Sequence, residues 1–164
     1  MRSLLPQEAR HLQAAEGWLE LGNHQEAFHE INQIIPDNRL HVEVVEVRAK
    51  IYAAEKNWQT CLMMAEILTD RRPNRPFGWR MLAAAQHGAG ATEAAYETLL
   101  DVADQFENCS EVMYDLARYA AQLALWDDAK HWLVCALQLG EEPLKLKAIA
   151  DPALKGLWRR IAQF

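Results

Sequence analysis

Histidine, cysteine and carboxylate are the side chains here that could hold a metal or attack a bond, and their spacing argues against both. Six histidines (His11, His24, His29, His41, His87 and His131) are scattered along 164 residues. A helical metal site needs ligands three or four residues apart on one face, whereas His24 and His29 are five apart. No His-Glu-x-x-His or Cys-x-x-Cys run occurs. Cys61, Cys109 and Cys135 are far apart and odd in number, which fits reduced thiols better than a disulfide framework or a zinc site. The run Gly88-Ala89-Gly90-Ala91-Thr92-Glu93 lacks the third glycine, the lysine and the preceding strand of a phosphate loop. A turn between two helices accounts for it. The expectation is a non-enzyme with no cofactor, no metal and no catalytic residue.

Composition narrows the partner. Hydrophobic residues make up 51% and charged residues 24%, the balance of a folded globular chain. Net charge is −6 and unevenly placed: residues 144–164 hold Lys145, Lys147, Lys155, Arg159 and Arg160 against Asp151 alone. The rest of the chain is strongly acidic and would repel a phosphate backbone, so nucleic-acid binding is not expected. No stretch is long and apolar enough to span a bilayer, and the first residues do not form a secretory signal. A cytoplasmic location without membrane contact is expected.

The elements that must position any partner follow from a 34-residue period. From starts at Glu8, Val42, Pro76 and Ser110, the twentieth position reads Ala27, Cys61, Ala95 and Ala129, and the eighth reads Ala15, Ala49, Ala83 and Ala117. The twenty-fourth reads Ile31, Ala65, Leu99 and Leu133; the twenty-seventh reads Ile34, Leu68, Val102 and Ala136. Two antiparallel helices approach closely only where side chains are small, so this recurrence predicts helical hairpins crossing at the alanines and at Cys61. Gly22-Asn23 and Gly88-Ala89-Gly90 mark turns within hairpins, and Pro36, Pro73, Pro76 and Pro143 fall between them.

In these positions the chain resembles the tetratricopeptide repeat family over nearly its whole length. Trp58 with Cys61, Leu68 and Pro73 is similar to the end of such a unit. Trp79, Leu82 and Ala83 are similar to its beginning, and Leu116, Ala117, Trp126 and Ala129 carry the pattern into the fourth unit. Arg48, Lys56, Glu107 and Glu141 depart from it, as does His11 where tryptophan is usual. The resemblance implies an all-α, right-handed solenoid of four helix-turn-helix repeats in a single domain, 1–164. The repeats fall at about 8–41, 42–75, 76–109 and 110–143, followed by a capping segment, 144–164. It also implies a concave groove lined by the first helix of each unit, to which Leu12, Glu16, Glu43, Glu46, Lys50, Phe77, Arg80, His87, Glu111, Tyr114 and Arg118 would contribute. Phe77, Arg80, Tyr114 and Arg118 form the richest predicted face. The carboxylate clamp of chaperone-binding members is not matched, because Leu12, Glu16, Val47, Phe77 and Met81 stand at its positions.

After the fourth unit, Asp151-Pro152 reads as an N-cap and first helical residue, with Leu154, Leu157, Trp158 and Ile161 forming a stripe that covers the last repeat. Trp58, Trp79 and Trp126 are expected in the core, and Trp132 is the tryptophan expected to be partly exposed. The functional expectation is a protein-interaction scaffold that receives a peptide or protein in the groove. A secretion-type chaperone is one alternative. Another is a self-assembling module that pairs through Arg2, Leu4 and Leu5 or through the basic end helix.

Overall fold

The computed structural model describes residues 3–161, and every regular element among them is helical. Arg2, named above as part of a pairing segment, lies outside the described residues. The chain divides into two compact units, Met1–Ala89 and Gly90–Phe164.

The first unit holds α1 (Pro6–Glu20), α2 (His24–Asn32), α3 (Val42–Ala54), α4 (Trp58–Arg71) and α5 (Pro76–Gly88). Proline opens α1 and α5, where its missing N–H costs nothing. Asn23 and Asn57 cap α2 and α4 by accepting from the N–H groups of Glu26 and Thr60. Glu8 does the equivalent work for α1 and more. Its buried carboxylate accepts from the N–H of Leu5 at 2.9 Å, the side-chain amide of Asn38 at 2.6 Å and the N–H of Ile35 at 3.3 Å. The bond from Leu5, helped by Asn38 and Ile35 and opposed by burial, holds this carboxyl below its usual range. One side chain thus ties the start of α1 to the loop that follows α2.

Packing follows the periodic small residues. Ala15, Ala27, Ala49 and Cys61 have no exposed surface, and α1 lies on α2 and α3 while α4 lies between α3 and α5. Cys61 donates its S–H toward the carbonyl of Ala49 at 3.5 Å, and burial pushes its thiol up to about 11, so it packs as a small core residue. Gly78 lets α5 press on α4, since a Cβ there would meet Leu68 Cβ at 3.0 Å. Arg48, at an apolar position of the pattern, is half-buried and donates to Asn32 Oδ1 at 3.0 Å.

The second unit holds α6 (Thr92–Leu100), α7 (Ser110–Gln122), α8 (Trp126–Leu139), α9 (Glu142–Ala150) and α10 (Lys155–Ile161). Ala95, Ala117 and Ala129 are again fully buried. Asp151 caps a short 3-10 turn, Pro152–Leu154, by accepting from the N–H of Ala153 at 2.8 Å, and α10 continues from it. Leu154 and Leu157 are buried against α7 and α8, which is the covering role expected of this segment. Ile161, expected in the same stripe, is instead 40% exposed. A regular helix, α9, occupies the region read from sequence only as a short segment.

The turns repeat as strictly as the helices. The second helices begin at His24, Trp58, Thr92 and Trp126. Two residues before each stands a residue with positive φ: Gly22 at 74°, Lys56 at 57°, Gly90 at 91° and Ala124 at 60°. In three of these turns the next N–H reaches five residues back, from Asn23 to Trp18, Asn57 to Tyr52 and Leu125 to Ala120. That bond satisfies a carbonyl left open at the helix end and requires the left-handed residue.

The tryptophans are half-buried rather than enclosed. The Trp58 ring lies against Gly88, where a Cβ would come within 2.3 Å of it, and Trp126 meets Gly156 in the same way. Trp79 donates its indole N–H to the carbonyl of Pro73 at 2.8 Å. Trp132 is half-buried, and its indole N–H reaches the Tyr96 hydroxyl at 3.3 Å.

Candidate partner-binding face

In the first unit α1, α3 and α5 run side by side, and the groove positions of the pattern can be read across them. Glu16 is exposed and lies 3.9 Å from Lys50, whose ammonium sits 5.5 Å from the centre of the Phe77 ring. One residue from each of the three helices therefore forms a lateral row. An open cleft of about 320 Å³, lined by Glu16, Leu19, Glu20 and Lys50, adjoins it. Glu43 is exposed, 4.0 Å from His41, and Glu46 lies 3.8 Å from Arg72. Arg80 and His87 are half-buried on α5. Leu12 differs from the expectation: it faces the core with Ala15 and Ile31, because the fifth position of the first unit is apolar and packs inward.

The groove positions of the second unit are used differently. Tyr114 is only 1% exposed, and its hydroxyl donates to Asp151 at 2.6 Å. Arg118 pairs with the same carboxylate at 2.8 Å and lies 3.8 Å from Asp115. Lys147 stands 4.9 Å from the centre of the Tyr114 ring. Burial, with the bond to Asp151 next, drives the Tyr114 phenol above its usual range. Burial also works to raise Asp151, but the hydrogen bonds from Tyr114 and the Ala153 N–H, with the positive charge of Arg118, outweigh it and hold that carboxyl below the usual range. Here the chain's own segment covers the face. Glu111 remains exposed at the start of α7, where the Ser110 hydroxyl and Cys109 thiol approach it at 3.3 and 3.4 Å.

Sequence reasoning recognised Asp151 as a cap and missed its second task. No local signal records a pairing with residues 37 and 33 positions earlier. A second cleft, of about 370 Å³, is lined by Trp126, Asp127, Lys130, Leu157, Arg160 and Ile161, with the Arg160 guanidinium 4.7 Å from the Trp126 ring centre. Among the described residues no three metal-ligating side chains converge, and no helix is long and apolar enough to cross a membrane.

No protein-family model matches the chain, and no curated protein matches it in sequence. Solved structures do. One titled "MamA RS-1 ArsTM double mutant" superposes with a TM-score of 0.69 at 14% identity, covering 88% of this chain and 78% of that one. Another, "MamA MSR-1 C2", gives 0.63 at 15% identity over 79% of this chain and 74% of that one. A further MamA variant gives 0.61 at 15% identity, covering 79% and 76%. At this identity the likeness is one of fold, and the fold is the tetratricopeptide-like helical repeat read from the 34-residue step.

Proposed function

We propose that the chain is a non-catalytic interaction scaffold of the tetratricopeptide repeat family that holds an extended or helical peptide across α1, α3 and α5. The observation that carries this reading is the lateral row Glu16–Lys50–Phe77 beside the open cleft at Leu19 and Glu20. A row built from three successive helices gives a ligand separate polar and aromatic contacts at a fixed pitch, which is how stacked repeats recognise extended partners. Its ion pair is exposed and worth little to folding, so its members are free to exchange partners at low cost. The likeness in fold to the MamA structures supports the helical-repeat framework on which this reading rests.

Affinity capture from the native cell identifies the partner, and a charge-reversing pair of substitutions tests the face. Lys50→Glu with Arg80→Glu should reduce capture at least about tenfold while far-UV helicity stays unchanged. Undiminished capture would remove this face from the reading.

A further inference from the structure

α9 is apolar on both of its sides, which is unusual for a surface helix. Leu144 and Ala148 point inward, yet Leu146 and Ile149, on the opposite side, are 62% and 69% exposed. Pro143 and Ala150 extend the same outward side. Lys145 on α9 and Lys155 and Arg159 on α10 are exposed; Lys145 lies 3.5 Å from Glu142 at the start of α9, and the next acidic residue, Asp151, is engaged by Tyr114 and Arg118. An apolar strip with a basic rim has the make-up of an interface left uncovered.

The same unit carries the complementary surface. Residues 81–117 contain no lysine or arginine at all. Within that stretch Glu93, Glu97, Asp101 and Asp104 are exposed at helical spacing on α6 and the turn after it, with Leu100, 43% exposed, among them. Residues 90–143 hold eleven carboxylates against two basic residues, Arg118 and Lys130. The net charge of −6 works against an anionic bilayer, whereas a second copy of the chain offers an exposed Leu100 among carboxylates, opposite in charge to the lysines and arginines of α9 and α10.

We infer that α9 and the basic residues after it dock on the acidic α6 face of a second copy, head to tail. The two surfaces differ, so the contact is heterologous and each copy keeps one free end of each kind. Association then grows with concentration and weakens with salt, because the rim charges are solvent-exposed. The contact uses none of Glu16, Lys50 and Phe77, so it stands or falls separately from the peptide-binding face.

Sedimentation velocity of the intact chain tests it. In about 20 mM salt the mean mass should rise above the monomer with concentration, and return to the monomer in about 0.5 M salt. Leu146→Ser with Ile149→Ser should weaken association at least about tenfold, and because both side chains are exposed the fold should not suffer. Reversing the basic rim (Lys145→Glu, Lys155→Glu, Arg159→Glu) or the acidic face (Glu97→Lys, Asp101→Lys, Asp104→Lys) should each give monomers. An equimolar mixture of those two variants should associate again, since each supplies the charge the other lacks. The inference is overturned if the chain stays monomeric at low salt, whether or not it sediments with phosphatidylserine vesicles. It is equally overturned if association survives in the Leu146/Ile149 variant, or if the mixture stays monomeric.

Discussion

The first helices of the two units put the same repeat positions to opposite uses. In the first unit the ninth position, Glu16 and then Lys50, is exposed or half-exposed, and the two side chains pair across helices at 3.9 Å. In the second unit the fifth and ninth positions, Tyr114 and Arg118, are closed over by Asp151. A repeat thus fixes where a side chain starts and not whether it remains accessible, because accessibility depends on what packs on that face later in the chain. An exposed ion pair at 3.9 Å and a carboxylate held by two hydrogen bonds and an ion pair also differ in energy, and that difference can be measured.

The largest effect should come from opening the closed face. Asp151→Ala leaves a buried phenol without an acceptor, removes a partner from Arg118 and uncaps the turn before α10, which together should cost about 2–4 kcal/mol in denaturant unfolding. Amide exchange in α7 and α10 should rise with it. Glu16→Ala on the open face should change stability by less than about 0.5 kcal/mol. Equal losses for the two substitutions would erase the contrast between the faces.

A smaller effect distinguishes the units by pH. Tyr114 has its pKa raised in the folded state, so its contribution is complete below the ordinary tyrosine range near 10 and is lost as pH rises through the folded value. Asp151 is shifted down, so its contribution is complete above the ordinary aspartate range near 4 and is lost as pH falls through the folded value. Glu8 gives the first unit an acid limb of the same sign, and its alkaline limb comes instead from the Cys61 thiol, which burial raises to about 11. Tyr114→Phe should therefore lessen the alkaline limb, leaving the parts owed to Cys61 and Tyr96, and the acid contribution of Glu8, in place. An alkaline limb unchanged in that variant would mean that Tyr114 does not control it.

The scaffold was legible because its cause is periodic. A small residue at each crossing and a turn before each second helix recur at a single interval, and Ala27, Cys61, Ala95 and Ala129 are buried as that interval demands. What escaped the sequence reading depends on contacts that do not repeat. Leu12 turns inward through the packing of α1 with α2 and α3, Tyr114 is covered by a residue 37 positions later, and α9 shows its apolar side to solvent. The row Glu16–Lys50–Phe77 lay between these cases. Its members stood at expected groove positions, but the ninth position of α3 pairing with the second of α5 follows from how neighbouring helices are offset, which spacing within one chain does not reveal.

The turns give the finest test, because there the two units are alike. Lys56 and Ala124 hold the left-handed position that Gly22 and Gly90 occupy in the other repeats, and each suffers the clash of its Cβ with the backbone. Both side chains are exposed, so replacing them with glycine removes that strain without opening a cavity. Glycine also enlarges the conformational freedom of the unfolded chain, which offsets part of the gain. The balance should favour Lys56→Gly and Ala124→Gly by about 0.5–1 kcal/mol each, and the gains should add, since the turns are far apart in sequence and share no bonding partner. Alanine at Gly22 or Gly90 should lose a similar amount. If Ala124→Gly stabilises and Lys56→Gly does not, the lysine stem is contributing at its turn through contacts along the helix surface, and the equivalence of the two turns ends there.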